Sequence, residues 1–249
     1  MGLLLEASLF EGFESPSGRW IWRKDNYASY EVLNSVARLC SGPSEALYYS
    51  NAELSDGVFD DLPWACCASV EFRARMTGSH FGSAGWGFWN HSMRVKQSFP
   101  IWFIYLMARG KYPLQGFFAQ LGDVFYPIKL FQPVTIYKLG LTLLPFLAPI
   151  KIASSRPSMQ ELDLEEWHEY KVSWHSKGAR FFIDGVEVAA MEHDKAGEQR
   201  QRLDVWIDNS VFYPFRGDAG GVYRHVTQEN RVRTCIEVDF IKLAPSSLE

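Results

Sequence analysis

The stretch Glu165–Val188 reads EEWHEYKVSWHSKGARFFIDGVEV and predicts a pair of antiparallel strands. Short runs rich in aromatic and β-branched residues, EYKVSW and RFFI, precede Asp184-Gly185, and the run VEVAA follows it. Asp-Gly favours a type I′ turn because both central residues of that turn need a positive φ. We therefore predict a β-hairpin centred on this dipeptide.

Similar runs on both sides of the hairpin predict strands over most of the chain. In Ala68–Met76 (ASVEFRARM), apolar and polar residues alternate, which is the period-2 pattern of a strand with one buried face. Other such runs, separated by turn residues, are Ala46–Ser50, Leu203–Ile207 and Thr234–Leu243. The sequence therefore predicts an all-β protein.

Composition sets the class of protein and excludes some partners. The chain has 249 residues, of which 47% are hydrophobic and 22% charged, and this excludes disorder as its main state. Its net charge of −4 argues against a global electrostatic nucleic-acid binder, so we predict no nucleic-acid partner. The aromatic content of 15% is unusually high. All-β sandwiches of this length form one domain, and we predict a single domain over residues 1–249.

Residues 97–153 differ from the rest of the chain. This segment carries a net charge of +4, with Asp123 as its single acid, which leaves −8 for the remainder. From Leu114 to Ile128 the apolar residues follow the spacing of one helix face, which predicts a helical, apolar insertion. Three roles stay open: docking on an anionic membrane surface, an apolar lid over one mouth of the sandwich, or plain core. The candidate lid or membrane residues are Phe117, Phe118, Phe125, Lys129, Phe131, Lys138 and Phe146.

The cysteines bear on the compartment. Cys40, Cys66, Cys67 and Cys235 show no C-x-x-C spacing, so we predict buried, reduced thiols. The start of the chain shows no secretory signal, and the longest uncharged apolar run is too short to cross a bilayer. The prediction is a cytoplasmic protein, peripheral to a membrane if the insertion docks there.

Four segments resemble one enzyme family. ASVEFRARM followed by GSAGWGFWN (residues 68–76 and 82–90) resembles a strand pair of the laminarinase and β-glucanase enzymes of glycoside hydrolase family 16. The 165–188 hairpin is similar to a hairpin of that family, CIEVDFIKL (235–243) to its closing strand, and FEGFESPSGRW (10–20) to its opening strand. The resemblance implies a concanavalin A-like fold, a two-sheet antiparallel jelly-roll sandwich.

The resemblance also implies where catalytic carboxylates would lie. The family signature is E-x-D-x-E on a cleft strand well upstream of the hairpin, since residues two apart share a strand face. Glu161–Glu165 (ELDLE) fits those letters, but Glu165 lies three residues before His168, so we interpret it as a solvated turn. Between residues 93 and 156 the only carboxylate is Asp123. The resemblance therefore predicts the fold without inherited glycosidase chemistry.

Ligand-binding candidates come from the runs that should line the concave face of such a sandwich. Exposed indoles stack on sugar rings or isoprenoid chains, and amide or charged groups orient the ligand. Because strand faces alternate, the sequence leaves open which of the tryptophans belong to the core. The candidates are Trp86, Trp89, Asn90, Arg73, Trp206 and Asn209.

Candidates for proton transfer and for metal binding are fewer. Glu71, His91 and Asp208 are the possible proton carriers, although Glu71 shares one strand face with Arg73 and Arg75, where salt bridging is the alternative. The histidine spacings give no support to a catalytic zinc site. The resemblance implies a structural Ca²⁺ held with the help of Asp239, and we predict no other cofactor.

The leading hypothesis is a non-hydrolytic binding protein. Its tryptophan-lined cleft would take an amphiphile or a glycan, with the insertion as lid or membrane-docking element. The alternative is an enzyme that acts in the same cleft on a hydrophobic or glycan substrate, as a cyclase or isomerase or as a glycoside hydrolase.

Overall fold

The computed structural model describes residues 8–14, 17–43, 49–58, 61–90, 98–108, 114–132, 151–154, 156–210 and 232–245. These residues form two packed sheets, and their one helical element is a single 3-10 turn at Ala196–Glu198. Among them, no helix is long and apolar enough to span a bilayer. The predicted two-sheet antiparallel jelly-roll sandwich is confirmed.

We call the eight-stranded sheet the back sheet. Its strands run in the order β15-β14-β13-β7-β17-β4-β3, with β1 beside β17, and all neighbours are antiparallel. Their bounds are β1 (Leu9–Glu11), β3 (Ser29–Leu33), β4 (Val36–Ser41), β7 (Ala68–Met76), β13 (His168–His175), β14 (Gly178–Ile183), β15 (Val186–Glu192) and β17 (Thr234–Pro245).

We call the nine-stranded sheet the front sheet. Its order is β12-β11-β10-β9-β8-β16-β5-β2, with β6 beside β16, and only the β11–β12 pair is parallel. Its strands are β2 (Ile21–Asp25), β5 (Asn51–Ser55), β6 (Trp64–Ala65), β8 (Gly82–Trp89), β9 (Ile101–Met107), β10 (Gly116–Leu121), β11 (Val124–Leu130), β12 (Lys151–Ile152) and β16 (Arg200–Asp208).

The local pattern behind the fold is confirmed in the back sheet. Along β7 the apolar residues are buried while Glu71, Arg73 and Arg75 stay partly exposed, as the period-2 alternation predicts. The predicted hairpin joins β14 to β15, with Ile183 opposite Val186. Its turn residues Asp184 and Gly185 have φ values of 50° and 77°, as a type I′ turn requires.

Aromatic side chains join the inner faces of the two sheets. The Trp86 ring of the front sheet lies 4.7 Å from the Tyr170 ring of the back sheet, in an edge-to-face arrangement. Phe103 meets Phe181 in the same way at 5.3 Å. All four side chains are fully buried, so edge-to-face aromatic packing between the sheets anchors the core.

The predicted helix within 97–153 is wrong. The segment supplies β9, β10, β11 and β12, and its first three strands are long, central members of the front sheet. The helix-like spacing arises because both faces of the β10–β11 hairpin are apolar: Phe117 packs in the core while Phe118 packs on the opposite face. The turn Gly122-Asp123, with Gly122 at φ 57°, was the missed hairpin signal.

The prediction of reduced thiols is also wrong. Cys40 on β4 lies directly opposite Cys235 on β17, and the two form a disulfide across 195 residues of sequence. Cys66 and Cys67 are bonded to each other. Strand pairing between distant segments brings the first pair together, which the cysteine spacing could not show. The argument for a reducing, cytoplasmic compartment is thereby removed.

The packing of Phe117 gives a direct test of this topology. Phe117 is fully buried between the sheets, so Phe117→Ala should lower the free energy of unfolding by about 3–5 kcal/mol. Val186→Ala, at an exposed hairpin position, should change it by less than about 0.5 kcal/mol. Urea unfolding measures both. A Phe117→Ala effect as small as that of the control would contradict the observed register of β10.

Candidate functional site

The outer face of the front sheet carries a second apolar cluster, separate from the core. β9 turns Trp102, Ile104 and Leu106 outward because its alternate residues fill the core. Neighbouring strands add apolar side chains to the same face. The cluster comprises Trp102, Ile104, Leu106, Leu114, Phe118, Phe125, Leu130 and Trp206, with Trp89, Ala108 and Ile152 packed against it. We call it the apolar half of the face.

Three indoles form the border of the apolar half. The Trp102 and Trp206 ring centroids are 4.2 Å apart, and Trp89 lies 5.4 Å from the first and 6.3 Å from the second. They cross β8, which has glycine at positions 85 and 87. A Cβ atom on Gly85 would come within 2.4 Å of the Trp206 ring, and one on Gly87 within 2.6 Å of Trp102. A side chain at position 85 would therefore overlap the Trp206 indole, and one at position 87 would overlap the β9 chain at Ile101 and Trp102.

A polar half occupies the other strands of the same face. On β16, Arg202, Asp204 and Asp208 alternate with core residues, and β5 contributes Glu53 on the neighbouring strand. All four residues are buried, and Asp204 and Arg202 have no exposed side-chain surface at all. Charged groups are this deeply buried only when they are paired.

Each of two guanidinium groups lies beside one carboxylate. Arg202 Nε lies 3.2 Å from Asp204 Oδ2, and Arg23 of β2 lies 3.2 Å from Glu53 Oε1. Burial and the neighbouring Glu53 charge raise the pKa of Asp204 well above its usual value, against the opposing charges of Arg202 and Arg23. The Arg202 guanidinium lies 5.2 Å from the Trp89 ring, so the two halves touch.

Asp208 on β16 and Asp56, which follows β5, are carboxyls with raised pKa values. Burial raises the pKa of Asp208 to about 7, although the Ser210 N–H and the Ser83 hydroxyl donate to its carboxylate at 2.8 and 3.0 Å. Burial likewise raises the pKa of Asp56 to about 6, against hydrogen bonds from the Trp64 indole and the Leu203 N–H. This side of the sheet therefore holds ionisable protons near neutral pH.

The structure brings three of the predicted ligand-binding and proton-transfer residues together. Trp89, Trp206 and Asp208 share the outer face of the front sheet. Trp86 does not: it is fully buried between the sheets, so its prediction as a ligand-binding residue is wrong. The alternation that puts position 89 outside puts position 86 inside.

The two asparagines predicted to bind ligand, Asn90 and Asn209, hydrogen-bond to other segments of the chain. Asn90 donates to Gln199 Oε1 at 3.0 Å and accepts from the Phe99 N–H at 2.6 Å. Asn209 accepts from the Ser50 N–H at 2.8 Å. Both residues are buried in connections at strand ends. They position the chain around the outer face.

The predicted lid or membrane residues are divided between the two faces of the front sheet. Phe117 lies in the core, and Phe118 and Phe125 in the apolar half, so none of the three is exposed for membrane docking. Lys129 donates to the Leu162 carbonyl, and Phe131 packs beside Tyr105. Lys138, Phe146 and His91 lie outside the described residues.

Glu71 and Arg73 lie on the back sheet, so the prediction that they share the tryptophan cleft is wrong. Glu71 lines a groove of about 580 Å³ and pairs with Lys171 at 2.9 Å and Lys242 at 3.3 Å. Partial burial raises the pKa of Glu71, but these two ammonium groups outweigh it and hold the pKa below its usual value. The salt-bridging alternative is the correct one for this carboxylate.

The calcium prediction stays a prediction. Asp239 pairs with Arg73 at 2.6 Å, which already neutralises its carboxylate. Within the part of the chain that the structure describes, no group of three or more His, Cys, Asp or Glu side chains is placed to hold a metal ion.

Two positions were considered for glycosidase carboxylates, the Glu161–Glu165 turn and the strand that follows β8. Glu161, Asp163 and Glu165 are exposed in a turn, as interpreted from their spacing, and the Asp163 carboxylate caps the Glu165 N–H. β9, the strand that follows β8 in the front sheet, presents Trp, Ile and Leu on its outer face. β9 itself, as described, contributes no carboxylate to this face.

Sequence reasoning missed Arg23, Glu53, Arg202, Asp204 and Trp102. A signal was present in Arg200–Asp208 (RQRLDVWID), where charged residues alternate with apolar ones at period 2. The run IWFIYLM is apolar at every position, which is typical of a strand covered on both faces. Neither pattern identifies β5 as the neighbour of β16.

Comparison with solved structures shows a shared fold. A native glycosidic hydrolase gives a TM-score of 0.57 at 12% identity, covering 100% of both chains. A structure concerning endo-acting O-glycanases of the human gut microbiota gives 0.56 at 12% identity, covering 95% of this chain and 98% of that one. The κ-carrageenase of Pseudoalteromonas carrageenovora, in complex with a κ-carrageenan oligotetrasaccharide, gives 0.54 at 11% identity, covering 94% and 92%.

No protein-family model and no curated protein matches the sequence. At these identities the solved structures establish the fold: it is the concanavalin A-like jelly roll that the sequence resemblance implied.

The glycines of β8 give a first prediction for the site. Gly85→Ala should displace the Trp206 indole, lower stability by about 1–3 kcal/mol and alter the tryptophan fluorescence, because the new methyl group overlaps the ring. Gly18→Ala, where nothing lies within 4 Å of the new Cβ, is the matched control and should leave both unchanged. An unaltered spectrum in Gly85→Ala would contradict the position of Trp206.

The raised pKa of Asp208 gives a second prediction for the site. Since its folded-state pKa of about 7 exceeds the ordinary 3.8, the folded protein binds more protons between these values, and stability falls as pH rises through them. Asp208→Asn should reduce that fall by up to about 1 kcal/mol per pH unit in urea unfolding from about pH 4 to pH 7. Glu71→Gln, whose parent carboxyl has a lowered pKa, should give a smaller change of opposite sign. Identical pH profiles for wild type and Asp208→Asn would refute the assignment.

Proposed function

We propose that the outer face of the front sheet binds an amphiphile, such as a glycolipid or isoprenoid derivative, without cleaving it. The observation that carries this proposal is the division of one sheet face into an apolar half and a polar half that meet at the indoles. The chain of the amphiphile would lie on the apolar half and its headgroup on the polar half. Such sites combine a hydrophobic lining with a few fixed polar groups.

The fold supports a glycan as one component of the ligand. The κ-carrageenase with the same fold was solved with an oligotetrasaccharide, and another structural neighbour concerns O-glycanases. Indole rings such as those of Trp89 and Trp206 stack on the apolar faces of sugar rings. The polar half adds carboxylates and guanidinium groups that hydrogen-bond to hydroxyls.

The composition of β9 supports binding without hydrolysis. A retaining glycosidase needs two carboxyl groups about 5–5.5 Å apart on either side of the scissile bond. Trp102, Ile104 and Leu106 take the outward positions of this strand, and none of them transfers a proton. The face is therefore suited to holding a ligand.

Access to the face requires movement. Trp102 and Trp206 are each only 7% exposed, so a ligand reaches them only if part of the protein moves aside. Binding that needs such a change associates more slowly than the typical 10⁵–10⁷ M⁻¹s⁻¹ of rigid partners. We expect saturation of the observed rate at high ligand concentration.

Binding of octyl β-D-glucoside below its critical micelle concentration tests the proposal. Titration followed by tryptophan fluorescence should saturate, and Trp206→Ala should weaken the affinity at least about tenfold because it removes the indole at the border of the two halves. Trp167→Ala removes an indole that contacts Arg73 and Arg75 on the back sheet, and should bind like wild type. Melting temperatures verify that both variants are folded.

The same preparation should release no reducing sugar from a β-glucan, with Glu161→Gln as a variant that changes nothing. Equal loss of binding in the two tryptophan variants, or absence of binding by wild type, would overturn the site. Measurable β-glucan hydrolysis would overturn its non-hydrolytic character.

A further inference from the structure

The two disulfides differ in the length of chain that each one closes. Cys40 and Cys235 are 195 residues apart in the sequence, whereas Cys66 and Cys67 are neighbours. A disulfide stabilises a fold mainly by removing conformational freedom from the unfolded chain, and this contribution grows with the length of the closed loop. The Cys66–Cys67 bond encloses no further residue, so it adds almost nothing to the stability of the whole sandwich.

The two disulfides also differ in burial. Cys40 and Cys235 lie on paired strands of the back sheet and are 0% and 3% exposed. Cys66 and Cys67 are both partly exposed, in the connection between β6 and β7. A thiolate must reach a disulfide sulfur in order to exchange with it, so an exposed disulfide reacts where a buried one does not. A soluble thiol can therefore reach the Cys66–Cys67 bond without unfolding the protein.

The connection that contains this bond joins the two sheets. On one side, β6 pairs with Arg200 and Gln201 at the start of β16, and this pairing spans two residue pairs. On the other side, β7 is a nine-residue strand of the back sheet that pairs with β13 and with β17. The strand that depends more on the connection is therefore β6.

Side-chain hydrogen bonds hold β6 and the residues before it against β16. The Trp64 indole N–H donates to the Asp56 carboxylate, which also accepts from the Leu203 N–H at 2.7 Å. Arg200 donates to the carbonyls of residues 62 and 63 at 3.0 and 3.3 Å. These bonds form only while the chain leaves β6 in the right direction, and the Cys66–Cys67 bond fixes that direction.

We propose that Cys66–Cys67 is a reversible thiol–disulfide exchange site for low-molecular-weight thiols such as glutathione, and that its reduction loosens β6 from β16. In the oxidised form the bond closes a small ring that includes the backbone between the two cysteines. In the reduced form both residues regain backbone and side-chain rotation. The short β6 pairing then has to hold without that constraint.

The exchange transfers two electrons in two steps. The thiolate of one thiol molecule attacks a sulfur of the pair, the S–S bond breaks, and the displaced cysteine thiolate takes up a proton. The thiolate of a second molecule attacks the thiol sulfur of this mixed disulfide and displaces the other cysteine, which is protonated in turn. The protein disulfide is reduced to two thiols, and two thiol molecules are oxidised to one disulfide. The oxidised dimer of the same thiol reverses the reaction.

Alkylation of the full chain under native conditions measures which bond is reduced. The protein is equilibrated with graded ratios of reduced to oxidised glutathione, alkylated with iodoacetamide and analysed by peptide mass spectrometry. Cys66 and Cys67 should be labelled at least about tenfold more than Cys40 and Cys235, because the buried pair is reached only by unfolding. Return to oxidised glutathione should remove this labelling.

Hydrogen exchange and fluorescence measure the loosening. On reduction, amide exchange in residues 64–65 and 200–201 should rise at least about tenfold, while exchange in the middle of β7 should not change. Tryptophan fluorescence should shift, since the Trp64 indole loses its bond to Asp56. The shift should be absent in Trp64→Phe.

Two matched double variants separate the local role from global stability. Cys66→Ala/Cys67→Ala should exchange at residues 64–65 like the reduced wild type at every glutathione ratio, yet melt within about 2 °C of the oxidised wild type. Cys40→Ala/Cys235→Ala should melt at least about 5 °C lower. The native alkylation uses the wild type alone and decides the exchange site even if a variant does not fold.

Each part of the proposal has a result that overturns it. Equal labelling of both cysteine pairs in the native protein, or no labelling of Cys66 and Cys67 at any ratio, would overturn the exchange site. Selective labelling with unchanged hydrogen exchange in β6, or a fluorescence shift that persists in Trp64→Phe, would overturn the loosening. None of these measurements involves the amphiphile, so their outcome does not depend on the proposed function.

Discussion

The burial of the front sheet on both faces is the constraint on which the rest of the structure depends. One face forms the core together with the back sheet. The side chains of the other face have to be packed or paired among themselves. Toward β9, β10 and β11 it does so by apolar packing, and toward β5 and β16 by pairing each guanidinium with a carboxylate. Glycine at positions 85 and 87 lets the indoles lie across the boundary.

This division concerns the side chains of this chain, whereas the sandwich that carries them is shared with other proteins. The sandwich is also the fold of a κ-carrageenase and of a glycosidic hydrolase, and in this chain the outward positions of β9 carry Trp102, Ile104 and Leu106. Ionisable groups are instead concentrated on β5 and β16. The aromatic side chains therefore lie next to a group of polar ones, an arrangement suited to a ligand with two unlike ends.

Local patterns in the sequence predicted most of the fold. The Asp184-Gly185 turn and the alternation along β7 are set by neighbouring residues, and both were predicted correctly. The β10–β11 hairpin was predicted as a helix because two apolar faces one residue apart imitate helical spacing. Glu53 and Asp204 lie far apart in the chain and meet only through the β5–β16 pairing, so no local pattern reveals their contact. Alternation predicts that positions 86 and 89 face opposite ways, but only the packed sheets show which is outside.

Photoaffinity labelling tests the central claim, that an amphiphile lies on the outer face of the front sheet, most directly. An octyl glucoside with a diazirine at the end of its chain would be irradiated with the protein, and the labelled residues identified by peptide mass spectrometry. Labels are expected on outward residues of the apolar half, such as Leu106 and Phe118, and excess unlabelled octyl glucoside should compete them away. Labels confined to the back-sheet groove around Glu71, Lys171 and Lys242 would contradict it.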